Sequence, residues 1–311
     1  MQSRRRFISN TVLGGAVVGM ASSPLDLLAA AAQVQLTILH TNDVHSHIEP
    51  FPEDDKKYPG LGGAEYRSAI IQNIRRQKDN VLVLDAGDIF QGTPYFNFFH
   101  GDLEIDLMNK MGYDAATIGN HDFDGGIDTL ARQISRADFP FVNCNYDFTG
   151  TPVEGKVHKH VVLKKGTLKI GITGCGVELD GLVPDKLYAQ TRYLDPVKCV
   201  QEQADILKYK EKCHLIICLS HLGYKYDNAK VSDIMLAQQT ANIDLIIGGH
   251  THTFLDAPVS EKNKDGKTVL INQVGWAGVQ FGQLEYYFEK SFRKKLSNSQ
   301  TVIVDKKSIE K

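Results

Sequence analysis

The chain has 311 residues, 42% of them apolar, and a formal net charge of −2. That length allows one large α/β domain or two small ones, and that apolar content fills a sizeable core and excludes a chain disordered throughout. The near-neutral balance gives no global electrostatic case for binding nucleic acid or an anionic membrane.

The N-terminus reads as an export segment over residues 1–32. Ser3-Arg4-Arg5-Arg6-Phe7-Ile8 is a charged start, Thr11 to about Ala32 is apolar and rich in small residues, and Ala29-Ala30-Ala31-Ala32-Gln33 offers an Ala-x-Ala cleavage site. The paired arginines before Phe7 resemble a twin-arginine signal, which carries folded proteins across a membrane and predicts a periplasmic or otherwise exported protein. Two adjacent glycines, Ser22, Ser23, Pro24 and Asp26 interrupt the apolar stretch, so no stable transmembrane span is expected.

Short apolar runs then alternate with amphipathic segments. Strands are predicted at Val34–His40, Asn80–Asp85, Ala115–Ile118, Phe139–Asn143, Leu168–Ile172, His214–Leu219 and Ile243–Ile247. Several are almost continuously apolar, as strands covered on both faces should be. Helices are predicted at Glu65–Gln77, Glu104–Met111, Ile127–Ala137 and Pro196–Lys212. Thr268–Glu289 reads as two strands in a hairpin-like return through Gly275 and Gly278, and 291–311 as a polar, basic tail after a catalytic domain at 33–290. The five cysteines fit no zinc-ribbon spacing and read as small buried side chains, with a disulfide open in an oxidising compartment.

The strand ends carry the chemistry. Ligands gather beyond the carboxyl ends of strands in α/β sheets, and here most strands are followed at once by a metal-competent side chain. Asp43 and His45 follow the first strand, Asp88 the second, Asn120 and His121 the third, His221 the sixth, and His250 and His252 the seventh. Alternate residues after a strand can face one cation, and a carboxylate such as Asp88 can bridge two. The set is mixed N and O without thiolate, which favours Mn, Zn, Fe or Co. Two cations about 3.5–4 Å apart can clamp an in-line displacement and lower the pKa of a bound water toward 7, so the attacking group is a metal-held hydroxide and the substrate a phosphate ester.

The ordered motifs D-x-H, G-D, G-N-H-D, S-H and G-G-H-T-H resemble the calcineurin-like metallophosphoesterases. Asp85-Ala86-Gly87-Asp88-Ile89-Phe90-Gln91-Gly92-Thr93-Pro94, with Glu104–Asn109 and Thr117–Gly125, resembles the catalytic domain of periplasmic and surface 5′-nucleotidases, from about Leu36 to about Glu289. The resemblance implies a four-layer α/β/β/α sandwich of two mixed sheets flanked by helices. It implies one metal on Asp43, His45 and His252, another on Asn120, His221 and His250, and Asp88 between them. His121, with Asn120, would meet the substrate, acting as stabiliser or general acid and oriented by Asp124. Asp122 stands where the nucleotidase pattern more often has Glu, and His252 where some have Gln or Asn.

The expected activity is hydrolysis of nucleoside monophosphates to nucleoside and phosphate. A phosphodiesterase acting on cyclic nucleotides or nucleotide-sugars is the enzymatic alternative. Full-length 5′-nucleotidases carry a second domain that holds the base, and this chain stops at Lys311. The nucleoside-binding half is therefore expected on a separate partner chain, or the domain acts alone on a broader substrate. A binding module that docks such a partner is the alternative of a different class.

Overall fold

The computed structural model describes residues 34–289 and 291–308. The expected export segment lies outside them, and no helix among the described residues is long and apolar enough to cross a membrane.

Alternation along the strands builds the sandwich. In β1 (Val34–Thr41), Leu36 and Ile38 face one way and Leu39 the other; in β2 (Val81–Asp85), Leu82 and Leu84 oppose Val81 and Val83. The first set meets Leu215, Ile217 and Leu219 of β8 (Leu215–His221) and Leu245 and Ile247 of β9 (Leu245–Gly248) in a dry layer between two sheets. The second set packs under helices α1 (Ala64–Gln77), α3 (Asp102–Met111) and α4 (Ile127–Arg136), with the short α2 (Pro94–Phe99) beside them. On the far side, α6 (Pro196–Asp205) and α7 (Asp233–Gln239) cover the outer face of the second sheet through Val200, Ala204, Leu236 and Ala237. The result is the expected four-layer arrangement.

Both sheets are mixed. The first has five strands in the order β13–β12–β1–β2–β3, with β3 at Ala115–Ala116, β12 at Gln280–Phe288 and β13 at Lys294–Ile303. Its β1, β2 and β3 run parallel, and β12 and β13 pair antiparallel. The second has six, β10–β11–β9–β8–β6–β5, with β5 at His160–Lys165, β6 at Leu168–Gly176, β10 at Val259–Lys262 and β11 at Thr268–Asn272. A two-stranded ribbon joins β4 (Tyr146–Asp147) to β7 (Arg192–Tyr193), and the one-turn helix α5 spans Asp185–Tyr188. The α6 helix begins where its sequence says it should: Pro196 is at its first turn, and the Asp195 carboxylate accepts from the N–H groups of Val197 and Lys198.

Three expectations are corrected. Thr268–Glu289 is not a hairpin, because β11 joins the second sheet and β12 the first; the segment through Gly275 crosses between sheets. Phe139–Asn143 forms only isolated bridges, Phe141 with Ala116 and Val142 with His158, since Pro140 has no N–H to give a ladder. The 291–311 stretch is not merely a polar tail. Its β13 pairs with β12 along nine positions, and Val304 beyond it is fully buried. Two lysines followed by the polar run Ser297–Thr301 hid an edge strand, and lysines on an edge are one way exposed edges are kept soluble.

The five cysteines are free thiols, four of them buried, and Cys175 and Cys218 lie with their sulfurs 3.9 Å apart on adjacent strands. His40 is enclosed between the sheets, where Asn272 meets its Nε2 at 2.8 Å. Burial holds its pKa down at about 3.

Candidate metal centre

Every predicted ligand lies at the same end of the two sheets. Asp43 and His45 leave β1, Asp88 leaves β2, His221 ends β8, and His250 and His252 follow β9. The turns are sharp enough that Asp43, His45, Asp88, His250 and His252 all take positive φ, between 49° and 73°. Left-handed backbone is uncommon for such residues and concentrates at functional sites. Gly87, at φ 89°, is needed for a second reason: a Cβ there would lie 2.7 Å from the Gly119 nitrogen and 2.9 Å from His221 Nδ1.

The side chains gather in two groups of three. Asp43, His45 and His252 present donor atoms within 4.8 Å of one another, and so do Asp88, His221 and His250. Asp88 Oδ2 lies 3.0 Å from His221 Nε2 and 3.7 Å from His45 Nε2, so it stands between the groups. Asn120 joins the second through Oδ1, 2.8 Å from His250 Nδ1.

This donor set fits divalent cations. His45 and His252 face each other Nε2 to Nε2 at 3.1 Å, and such a pair can share at most one proton. His221 donates from Nδ1 to the Ala86 carbonyl at 2.7 Å, which leaves Nε2, opposite Asp88 Oδ2, as the atom that would hold a cation in place of a proton. Burial opposes charge on His221, but Asp88 and Asp43 outweigh it and lift its pKa to about 10, a measure of how strongly the pocket favours positive charge. His250 is driven the other way, to about 3, by burial and by His221, which keeps its imidazole neutral.

His121 belongs to neither group. Its ring packs edge-on to His45 at 5.2 Å, its Nδ1 meets Asp124 Oδ2 at 2.8 Å, and 41% of its side chain is exposed. The Asp124 hydrogen bond raises the His121 pKa above its ordinary value. His47, two residues past His45, turns away and stacks on Phe51 at 4.8 Å.

Three supports were not singled out in the sequence. Asn42 donates to Asp43 Oδ2 at 2.6 Å and to the Gly275 carbonyl, while the His250 N–H donates to the same carboxylate. Asp122, read there only as a conservative change, accepts from the backbone N–H groups of Asp88, Ile89, Phe90 and Gly119, and so fixes the turns that carry Asp88 and Asn120. Asp233 accepts from Ser220 beside His221 at 2.5 Å. Most of these contacts join residues far apart in the chain, so no local pattern signals them.

With this geometry in hand, comparison with known proteins is decisive. Residues 36–254 match the calcineurin-like phosphoesterase family. The chain belongs to that family, a class of metal-dependent phosphoester hydrolases. It is 32% identical over 301 residues to a snake venom 5′-nucleotidase of Gloydius brevicauda, covering 90% of this chain and 50% of the relative. A 5′-nucleotidase precursor from Thermus thermophilus superposes with a TM-score of 0.79 at 30% identity, covering 88% of this chain and 55% of that one. The calcineurin-like phosphoesterase YfkN from Bacillus subtilis superposes at 0.71 with 28% identity, over 88% and 91%. The chain spans about half the length of the curated relatives it matches.

Proposed function

We propose that this domain is an exported phosphomonoesterase of the 5′-nucleotidase type, releasing phosphate from nucleoside monophosphates at a dinuclear centre. The observation that carries the reading is the convergence of the two donor groups on Asp88, with the His121–Asp124 pair at their open side. Asp43, His45 and His252 would hold one divalent ion and Asn120, His221 and His250 the other, with Asp88 shared. Two such ions supply Lewis acidity toward the phosphoryl oxygens and an activated water.

The remaining work falls to the chain itself. Asn120 and His121 meet the phosphoryl group. His121, its Nδ1 fixed on Asp124, keeps Nε2 for the substrate, and its raised pKa keeps a proton available for the departing alkoxide near neutral pH. The His121 backbone N–H donates to Asp88 Oδ1 at 2.8 Å, which ties the residue carrying the acid to the shared carboxylate. Relatives named 5′-nucleotidase support the substrate class, and the arginine-led N-terminus supports export.

Coverage of about half the relatives favours a second reading of specificity, in which nucleoside contacts come from another polypeptide segment or partner chain. Phosphate release from AMP and p-nitrophenyl phosphate, and formation of AMP from cyclic AMP, measured with Mn²⁺ or Zn²⁺ and an Asp88→Asn control, test both. AMP preference with an inactive control is expected. Turnover of the generic ester alone moves specificity to a partner, preference for cyclic AMP makes the enzyme a diesterase, and no turnover with two metals bound overturns the hydrolase reading.

A further inference from the structure

We propose that the aromatic cluster of Phe51, Tyr58, Phe254 and Trp276 beside His252 is a subsite for the planar base of a nucleoside leaving group, favouring it over a sugar alcohol that carries no base. The inference rests on the phosphomonoesterase reading above and adds a place within this domain where the base is held. Trp276 lies parallel to the His252 imidazole, with ring centroids 5.7 Å apart and 5° between planes, so the cluster is continuous with the first donor group. Phe51 and Tyr58 each meet the indole edge-on at 6.1 Å, and Phe254 lies near-parallel to Tyr58 at 6.3 Å.

The cluster is built rather than incidental. The Asp55 carboxylate accepts from the N–H groups of Lys57 and Tyr58, at 2.8 and 2.7 Å, and this turn aims the tyrosine. Tyr58 Oη in turn accepts from Trp276 Nε1 at 3.2 Å, which spends the indole's only donor within the cluster; one face of Trp276 lies on His252, one of Phe51 on His47 and one of Tyr58 against Phe254, with Lys57 Nζ 5.0 Å from the Tyr58 ring centre. Phe254 lies flat over Gly275, whose φ of 75° and close contact with the phenyl ring leave no room for a Cβ. The rings are not sealed: Phe254 is 39% exposed and the His252 side chain 40%, while Phe51, Tyr58 and Trp276 are half-buried. A partly exposed aromatic surface beside a site for an anion matches the two halves of a nucleotide, and base–aromatic stacking tolerates every base because each has a π-face.

Trp276 is the chain's single tryptophan, so its fluorescence reads this surface directly. The test uses the full chain with Mn²⁺. Adenosine and ribose are titrated against Trp276 emission, and the ratio of kcat/KM for AMP to that for ribose 5-phosphate is measured in wild type, Tyr58→Ala, Tyr58→Phe, Phe254→Ala and Tyr209→Ala. Tyr209 is an exposed aromatic at the C-terminal end of the outer helix and serves as control.

Adenosine should quench the emission and ribose should not. The ratio should exceed ten, fall about tenfold in each alanine variant, the scale of one lost stack, and persist in Tyr58→Phe and Tyr209→Ala. A ratio near one without adenosine quenching, or a ratio unchanged in both alanine variants, overturns the subsite while the phosphomonoesterase reading stands. Adenosine quenching with neither ester hydrolysed does the reverse.

Discussion

The two donor groups share Asp88 as a neighbour, yet they are held very differently. In the group of Asp88, His221 and His250, each side chain has a second partner: the Ala86 carbonyl for His221, Asn120 for His250 and the His121 N–H for Asp88. His221 is fully buried. In the group of Asp43, His45 and His252, only the carboxylate is pinned. Among the described residues His45 Nδ1 is buried without a partner, and His252 leans on Trp276 with 40% of its side chain exposed. Partners behind a ligand fix its tautomer and ring orientation and strengthen its basicity. The group of Asp88, His221 and His250 is therefore preorganised, and the other is open to solvent at His252.

That contrast can be broken by mutation. His221→Ala leaves Asp88 and Asp43 enclosed without the imidazole that joins them, and turnover with Mn²⁺ should fall roughly 10³-fold, the loss expected when a preorganised electrostatic group is removed. His252→Ala should cost about 10–100-fold in metal affinity and recover as Mn²⁺ is raised. Metal analysis of the purified variants alongside a Mn²⁺ titration of activity checks this; equal, unrecoverable losses would show that the groups do not differ.

A smaller effect is expected outside both groups. Asp124→Asn keeps the shape of the His121 partner but removes its charge, so kcat should drop about 10²-fold with two equivalents of metal still bound. Loss of metal in that variant would instead place Asp124 among the supports of the centre.

The smallest effect concerns the imidazole that is not at the site. His40 has its folded pKa depressed from 6.5 to about 3, so the folded state binds fewer protons than the unfolded one. Its contribution to stability is complete above pH 6.5 and is lost as pH falls from there toward 3. Melting temperatures between about pH 7.5 and 4 should therefore fall less steeply for His40→Gln than for wild type, and parallel curves would remove His40 from the account of acid sensitivity.

What the sequence made legible follows from range. The strands Val81–Asp85 and Leu215–His221 and the side chains placed at their ends could be read locally, because apolar runs and the residues that stop them are neighbours in the chain. The polar side chains that brace the ligands could not. Asp122 gathers N–H groups from 32–34 residues upstream as well as its own turn, and Asn42 reaches Gly275 across 233 positions. Trp276 was hidden by a misreading of topology. With β11 and β12 taken as a hairpin, its residue would sit on a distal turn; the crossing between sheets instead delivers it to His252.

The left-handed backbone at His45, His250 and His252 sets stability against chemistry in this domain. A glycine at any of these positions would relax the chain by about 1 kcal/mol. A mutant library sorted for thermal tolerance alone, in chelating buffer, would thus drift toward glycine at the imidazoles and lose its donors one by one. The same library sorted with Mn²⁺ present would retain them, since ion binding to the folded state then outweighs the strain. The metal content of the medium, more than the temperature, would decide which protein emerged.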